Sequence, residues 1–171
     1  AEVSAGDDLA EQVEKNGWIS VNDPCCGGGA LLLAFANVCR KKGINFQTSV
    51  LFVAQDIDPT VAMMCYIQLS LMGCPGYVKV GNSLTDPLTC HGDHGLFPVG
   101  GENIWFTPMF FRDEWQYRRL WAQIDMILSP AAKTPDAAPA GAATPGIAIS
   151  TPPTIEPPGL QVNKAGQFTL F

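Results

Sequence analysis

Apolar residues recur along residues 1–128 in two spacings, one typical of helices and one typical of buried strands. The helical spacing predicts four helices, at residues 7–16, 30–42, 59–72 and 112–128. Short apolar and β-branched runs predict four strands, at residues 18–22, 49–54, 77–80 and 103–106. Because strands and helices alternate with short connections, the pattern predicts an α/β fold, a truncated parallel sheet with helices on both faces.

This pattern stops at Ser129, where the composition changes. Residues 129–160 contain eight prolines, eight alanines, three charged residues and no aromatic residue. Such a segment buries too little apolar surface to offset the entropy lost on ordering. The sequence therefore predicts a folded domain at residues 1–128, a disordered linker rich in Pro and Ala at 129–160, and a tail at 161–171.

The charge balance limits the partners of the domain. The 171-residue chain has 10 Lys and Arg against 16 Asp and Glu, a net charge of −6. Proteins that hold DNA through their own surface usually carry a basic patch, so we expect DNA contact here to be weak or assisted by a partner. The sequence has neither an apolar run long enough to span a membrane nor a signal pattern, which predicts a cytoplasmic location.

The six cysteines raise the question of a metal site. A zinc site could draw on Cys74, Cys90, His91 and His94, but their spacing matches no familiar zinc motif. The chain is neither dense in cysteine nor equipped with a signal sequence, as disulfide-stabilised secreted domains are. We therefore predict reduced, mostly structural thiols and no metal.

Three predicted strands end in residues suited to a ligand. The first runs into a turn, residues 23–29, that contains Asp23 and three glycines, and glycines let a ligand approach the backbone. The second ends at Asp56, a position where a carboxylate can accept both hydroxyls of a ribose, and Ile57 can cover an adenine. Asn82 follows the third. Together they predict an adenosine-containing cofactor, whereas the glycines alone fit a ligand-free connection equally well.

These three segments, residues 22–29, 55–59 and 81–84, resemble the N6-adenine DNA methyltransferases. The similarity covers residues 17–110 and is greatest to the modification subunits of type I restriction systems and their phage-borne relatives. It implies a Rossmann-like fold that binds S-adenosylmethionine, and it outweighs a nicotinamide dehydrogenase, whose fingerprint is Gly-x-Gly-x-x-Gly. The implied cofactor-binding residues are Asp23, Pro24, Cys25, Gly27 and Gly29 at the methionine end, Asp56 at the ribose, and Ile57 and Asn82 at the adenine.

At the position of the family's catalytic motif, this sequence departs from the family pattern. The family has Asn or Asp, then Pro-Pro, then Tyr or Phe at the end of the fourth strand, where the ring stacks on the flipped-out adenine. This position reads Thr107, Pro108, Met109 and Phe110. The resemblance implies a degenerate catalytic motif formed by Thr107, Pro108 and Phe110, and the alternative is a plain turn that ends a strand. The chain is also too short for a target-recognition domain, which suggests a second subunit.

The last five residues resemble the pentapeptide with which bacterial replication proteins dock on the sliding clamp. A flexible tail would present Leu170 and Phe171 to an apolar pocket, with Gln167 at its polar rim. The alternative is an ordinary apolar terminus, docked back on the fold.

The sequence thus favours an adenine-specific DNA methyltransferase-like protein, of phage or prophage origin, that uses S-adenosylmethionine. Two alternatives stay open. One is a catalytically impaired adaptor that the clamp recruits to DNA, and the other is a small-molecule methyltransferase or nucleotide-binding module.

Overall fold

The structure is a computed structural model, and it describes residues 8–91, 95–100, 102–128, 161–162 and 167–169. The helices are α1 (Asp8–Asn16), α2 (Ala30–Lys41), α3 (Phe46–Ser49), α4 (Pro59–Met72) and α5 (Asp113–Leu128), with a 3-10 helix at Pro108–Phe111. The strands are β1 (Ile19–Asp23), β2 (Val50–Asp56), β3 (Gly76–Val80), β4 (Cys90–His91), β5 (Phe97–Pro98), β6 (Ile104–Phe106), β7 (Gln161–Val162) and β8 (Gln167–Thr169).

The main sheet has the strand order β6-β3-β2-β1-β8-β7. Strands β1, β2 and β3 are parallel neighbours, which confirms the predicted α/β fold with a mainly parallel sheet. Strand β6 pairs with β3 in the antiparallel direction, and β8 lies parallel to β1 on the other side. We call the side of the sheet where β1, β2 and β3 end the carboxyl edge, and the side where they begin the amino edge.

Alternation along the central strand β2 sends its side chains into two cores. Val50, Phe52 and Ala54 pack with α2 and α4 on one face of the sheet. Leu51 and Val53 face the other way, into a core that includes the 3-10 helix and α5. Helices therefore cover both faces, as predicted, and the whole of β2 up to Gln55 is buried.

At most of their ends, the predicted helices and strands agree with the structure to within two residues. The pattern missed several short elements, which are α3, the hairpin β4–β5, the 3-10 helix and the tail strands β7 and β8, because none of these helices and strands exceeds four residues or shows periodicity. Within the described part of the chain, no helix is long and apolar enough to cross a membrane.

The six cysteines are free thiols, and four of them are buried. Burial raises the pKa of the Cys39 thiol to about 11 and that of Cys74 to about 12, so both stay protonated at neutral pH. Among the described residues, no group of three metal-ligating side chains comes together. His94 lies outside those residues.

The tail is described only at its two short strands. Gln167, Phe168 and Thr169 are the register partners of Ser20, Val21 and Asn22 in β1. The linker predicted at residues 129–160 lies outside the described residues, as do Leu170 and Phe171.

Candidate functional site

The glycine turn that follows β1 is hydrogen-bonded to the end of β2. The backbone N–H of Cys26 donates to the Gln55 carbonyl at 3.0 Å, and that of Gly27 donates to the Asp56 carboxylate (Oδ2) at 2.8 Å. The end of β3 joins the same place, because the N–H of Gly81 donates to the Asp56 carbonyl at 2.9 Å. The structure thus brings the three predicted segments together at the carboxyl edge.

Asp56 organises this edge with both of its carboxylate oxygens. Oδ2 accepts from Gly27, and Oδ1 accepts from the N–H of Asp58 at 3.0 Å. Each oxygen of an ionised carboxylate can accept a second hydrogen bond, so a pair of ligand hydroxyls can still bind here. The next residue, Ile57, is 65% exposed beside this carboxylate and can cover a flat ring.

Asp23 lies at the end of β1 and is almost completely buried. One of its oxygens, Oδ1, accepts from the N–H of Cys25 at 3.2 Å, whereas Oδ2 has no hydrogen-bond partner among the described residues. Burial raises the pKa of Asp23, and the negative charge of Asp56 raises it further, against the lowering effect of the Cys25 N–H. A buried carboxylate with an unpaired oxygen is suited to a cationic or N–H donating ligand group.

Two glycines of the turn have left-handed backbones but different surroundings. At Gly29 (φ +86°) a Cβ atom would come within 2.8 Å of the Cys65 sulfur, so this glycine lets the turn pack closely on α4. At Gly27 (φ +50°) a Cβ atom would meet nothing within 4 Å, and the space beside the backbone is open. The turn is also held by Gln68, whose Nε2 donates to the Gly28 carbonyl at 2.8 Å.

Asn82 lies in the loop that follows β3, with its Oδ1 accepting from the N–H of Leu84 at 2.9 Å. The loop meets the glycine turn where the Cys25 sulfur lies 3.9 Å from the Ser83 hydroxyl. Cys25 is exposed and Pro24 is half-buried. All eight predicted cofactor-binding residues therefore lie on connected segments at one edge.

The residues at this edge suit a nucleoside with a cationic end. Asp56 can accept hydrogen bonds from two hydroxyls, and Ile57 offers an apolar surface. The unpaired oxygen of Asp23 is suited to a positively charged group or an N–H donor. S-adenosylmethionine combines these groups in one molecule: a ribose, an adenine, a sulfonium and an ammonium. The site therefore fits the cofactor that the resemblance implies.

The predicted catalytic residues lie elsewhere. Because β6 is antiparallel to β3, its end leads Thr107 to the amino edge of the sheet. There the buried Thr107 hydroxyl donates to the Cys74 carbonyl at 2.7 Å and accepts from the Gly76 N–H at 3.0 Å. Pro108 is exposed at the same end of the sheet, and Phe110 is buried with its ring 5.9 Å from that of Tyr77.

The expected position of Thr107, Pro108 and Phe110 beside the cofactor site is therefore wrong for this structure. The error came from assuming that the fourth predicted strand was parallel, since strand direction cannot be read from an apolar run of three residues.

Two arginines after this motif also have structural partners. Arg118 donates to the carbonyl of Thr48, and its guanidinium lies 4.5 Å from the centroid of the Trp115 ring. Arg119 donates to the carbonyl of Phe110 at 2.7 Å. Both hold α5 against the domain, which leaves them poorly placed to contact the phosphates of DNA.

Sequence reasoning missed two glutamines at the carboxyl edge, Gln55 and Gln68. Gln55 is 2% exposed at the end of a buried apolar strand, where a polar residue has to find hydrogen-bond partners. That position in the pattern was the available signal for Gln55. Gln68 lies within a helix and carries no comparable signal.

The comparisons with known proteins agree with this geometry. A family model described as N-6 DNA methylase matches residues 7–110, more than half of the chain, and this stretch includes the glycine turn, Asp56 and Asn82. No curated protein and no solved structure matches the chain. The chain belongs to the N-6 DNA methylase family.

Proposed function

We propose that this chain binds S-adenosylmethionine at the carboxyl edge and takes part in methylation of adenine N6 in DNA. The observation that supports this most directly is the buried Asp23 carboxylate with an unpaired oxygen, beside a glycine turn that is fastened to Asp56. A buried charge costs free energy unless a partner balances it. A cationic ligand would supply that balance.

Each residue of the site has a role in this proposal. Asp23 holds the positively charged methionine end, next to Pro24 and Cys25, while Gly27 leaves room for the ligand beside the backbone. Asp56 accepts the ribose hydroxyls, and Ile57 and Asn82 hold the adenine. The cofactor, when bound, supplies an electrophilic methyl group. The chain's own residues bind and orient it.

The target adenine needs a partner in this proposal. Thr107, Pro108 and Phe110 lie at the amino edge, so they do not face the site that would hold the cofactor. A second subunit would hold the flipped-out base over the glycine turn, and it would also bring DNA to a chain whose net charge is −6. This arrangement belongs in the cytoplasm, where DNA and the cofactor are available.

Calorimetric titration with S-adenosylhomocysteine tests the binding step, and transfer of a tritiated methyl group to unmethylated bacterial DNA tests the reaction. We expect micromolar binding that Asp23→Ala weakens about tenfold, because a charge-assisted hydrogen bond is lost. Absence of binding to the wild-type chain would refute the proposal. Binding without transfer, even with a partner added, would favour the adaptor instead.

The adaptor is the second candidate, and the tail sequence from Gln167 to Phe171 favours it. Docking on the sliding clamp would place an acidic domain on DNA without new contacts to phosphates. Since residues 167–169 pair with β1, docking requires the tail to leave the sheet.

Capture of the chain by immobilised bacterial clamp tests this docking. We expect Gln167→Ala to reduce capture and Gln161→Ala, in the same tail but outside the pentapeptide, to leave it unchanged. Equal capture of the two variants would place the contact elsewhere.

A further inference from the structure

The loop of residues 81–88, which we call the adenine loop, connects β3 to the hairpin and includes Asn82. We infer that Gln55 and Lys79 are positioning residues that fix this loop for the adenine of the cofactor. The inference rests on the proposed function, which places the adenine beside Asn82. It concerns two side chains that reach the loop from the sheet and do not touch the cofactor themselves.

Gln55 uses its whole amide group on the adenine loop. Its Nε2 donates to the carbonyl of Gly81 at 3.1 Å and to that of Asp86 at 2.8 Å. Its Oε1 accepts from the N–H of Leu88 at 2.9 Å. One buried side chain thus joins Gly81, the first residue of the loop, to Asp86 and Leu88 near its end, at ordinary hydrogen-bond distances.

Lys79 makes a second set of contacts with the same loop. Its ammonium donates to the Asp86 carboxylate at 2.7 Å, to the Asp86 carbonyl at 3.1 Å and to the Pro87 carbonyl at 3.4 Å. The lysine side chain is 7% exposed, so little water competes for these bonds. An exposed ion pair contributes little, but a nearly buried ammonium with several acceptors is held firmly.

The two side chains act together because of their place in the sheet. Gln55 and Lys79 are register partners on neighbouring strands β2 and β3, and they point to the same face. Gln55 also directly precedes Asp56, the proposed ribose ligand. The pair therefore sets the distance between the ribose carboxylate and the adenine loop.

Apart from these contacts, the loop is attached at its two ends, where the Gly81 N–H donates to the Asp56 carbonyl and Leu88 packs against the core that contains Phe110. Leu84 at its tip is 90% exposed, and residues 84–87 are all exposed. Within the loop, the N–H of Asp86 donates to the Asn82 carbonyl at 2.7 Å, which closes a turn but does not attach it to the sheet. Between its ends, polar contacts from Gln55 to Asp86, and from Lys79 to Asp86 and Pro87, attach the exposed segment in place of apolar packing.

Affinities for two nucleosides distinguish a loss of adenine positioning from a general loss of the binding site. S-adenosylhomocysteine reaches the whole site, whereas 5′-methylthioadenosine has the adenine and ribose but no amino-acid end. We expect Gln55→Leu to weaken both at least about tenfold, and Lys79→Met to weaken both about fivefold. Asp23→Ala should weaken S-adenosylhomocysteine alone. Ser20→Ala, which truncates a buried side chain away from the loop, should change neither.

The variant Gln55→Glu tests whether the side chain at this position acts through hydrogen bonds or only through packing. An ionised glutamate cannot donate to the Gly81 and Asp86 carbonyls, but a protonated one can donate to one of them. We therefore expect its affinity for 5′-methylthioadenosine, relative to wild type at the same pH, to recover as the pH falls. A ratio that stays constant with pH would contradict a role through hydrogen bonding.

Hydrogen exchange of the ligand-free chain tests the loop directly. Gln55→Leu should speed exchange of the amides of residues 81–88 at least about tenfold while those of β1 keep their rates. Unchanged loop exchange, or unchanged nucleoside affinity in a folded variant, would overturn the inference. If the wild-type chain bound neither nucleoside, the proposed function would fail and with it the adenine assignment, whatever the exchange rates.

Discussion

The two edges of the mainly parallel sheet differ in how their buried polar side chains are paired. At the carboxyl edge, two carboxylates lie close together, and one oxygen of Asp23 is buried without a hydrogen-bond partner among the described residues. At the amino edge, the Thr107 hydroxyl both donates and accepts, and Phe110 is buried among other rings. The carboxyl edge thus holds a buried carboxylate oxygen without a partner in the described part of the chain, whereas the buried Thr107 hydroxyl at the amino edge has both a donor and an acceptor as partners.

This difference indicates where a ligand belongs. An unpaired buried carboxylate oxygen costs more free energy than an unpaired buried hydroxyl, such as those of Ser20 and Ser70 among the described residues, so the carboxylate is the group that a ligand would balance. By that criterion the carboxyl edge is the better candidate for a binding site, although the sequence pattern predicts a role in the reaction for residues of both edges. Four experiments test this comparison.

Asp56→Ala should have the largest effect, because it removes the acceptor for the Gly27 and Asp58 N–H groups together with the proposed ribose contact. We expect affinity for S-adenosylhomocysteine to fall by about 3 kcal/mol, roughly a hundredfold, in a calorimetric titration. The matched control is Asp58→Ala, which removes the N-cap of α4 and should cost about 1 kcal/mol of stability without loss of affinity. Equal affinities of the two variants would remove Asp56 from the site.

Gly29→Ala and Gly27→Ala should differ in which property they damage. At Gly29 the added methyl meets the Cys65 sulfur at 2.8 Å in a left-handed backbone, so we expect a loss of about 3 kcal/mol in the free energy of unfolding. At Gly27 the methyl meets nothing, so the loss should be about 1 kcal/mol. Its effect should appear in cofactor affinity instead. Urea unfolding and titration of both variants would separate packing from binding, and similar profiles would contradict this division.

Thr107→Val tests the amino edge. The change keeps the shape but leaves the Gly76 N–H and the Cys74 carbonyl without their partner, which should cost about 2 kcal/mol of stability. Thr107→Ser keeps the hydroxyl and should cost less. Neither should alter affinity for S-adenosylhomocysteine. A fall in methyl transfer by Thr107→Val at unchanged stability would restore a catalytic role and break the comparison.

Asp23→Asn should have a small effect on stability and, unlike the other variants, should stabilise the ligand-free chain. Burial raises the pKa of Asp23 above its ordinary value of 3.8, so the folded chain binds this proton more tightly than the unfolded chain. The free energy of unfolding should therefore fall as the pH rises from about 4 through the raised pKa. Asp23→Asn should remove that fall and stabilise the ligand-free chain at pH 7 by about 1 kcal/mol.

The measurement is thermal unfolding across pH 3–8, with the exposed Glu102→Gln as control. A variant less stable than wild type at pH 7 would show that the Asp23 charge is already balanced. The same variant should bind S-adenosylhomocysteine more weakly, so stability and binding should change in opposite directions.

Much of the site could be predicted from the sequence, because its chemistry is concentrated at the ends of strands. Asp23, Asp56 and Asn82 each follow an apolar run, and parallel strands bring such ends to one edge. Gln55 could not be assigned a role in the same way. Its partners lie 26 to 33 residues away in the adenine loop, and an isolated polar residue in a strand does not indicate which backbone groups it meets.

The sequence by itself determined the alternation of strands and helices, the glycine turn and the acidic strand ends, since periodicity and residue type are local properties. Only the tertiary structure decided the direction of β6 and hence the edge to which Thr107 belongs, because three apolar residues can pair in either direction. It also decided that one oxygen of Asp23 is buried with no hydrogen-bond partner in the part of the chain that the structure describes. Burial depends on the packing of distant segments, and no pattern within one segment encodes it.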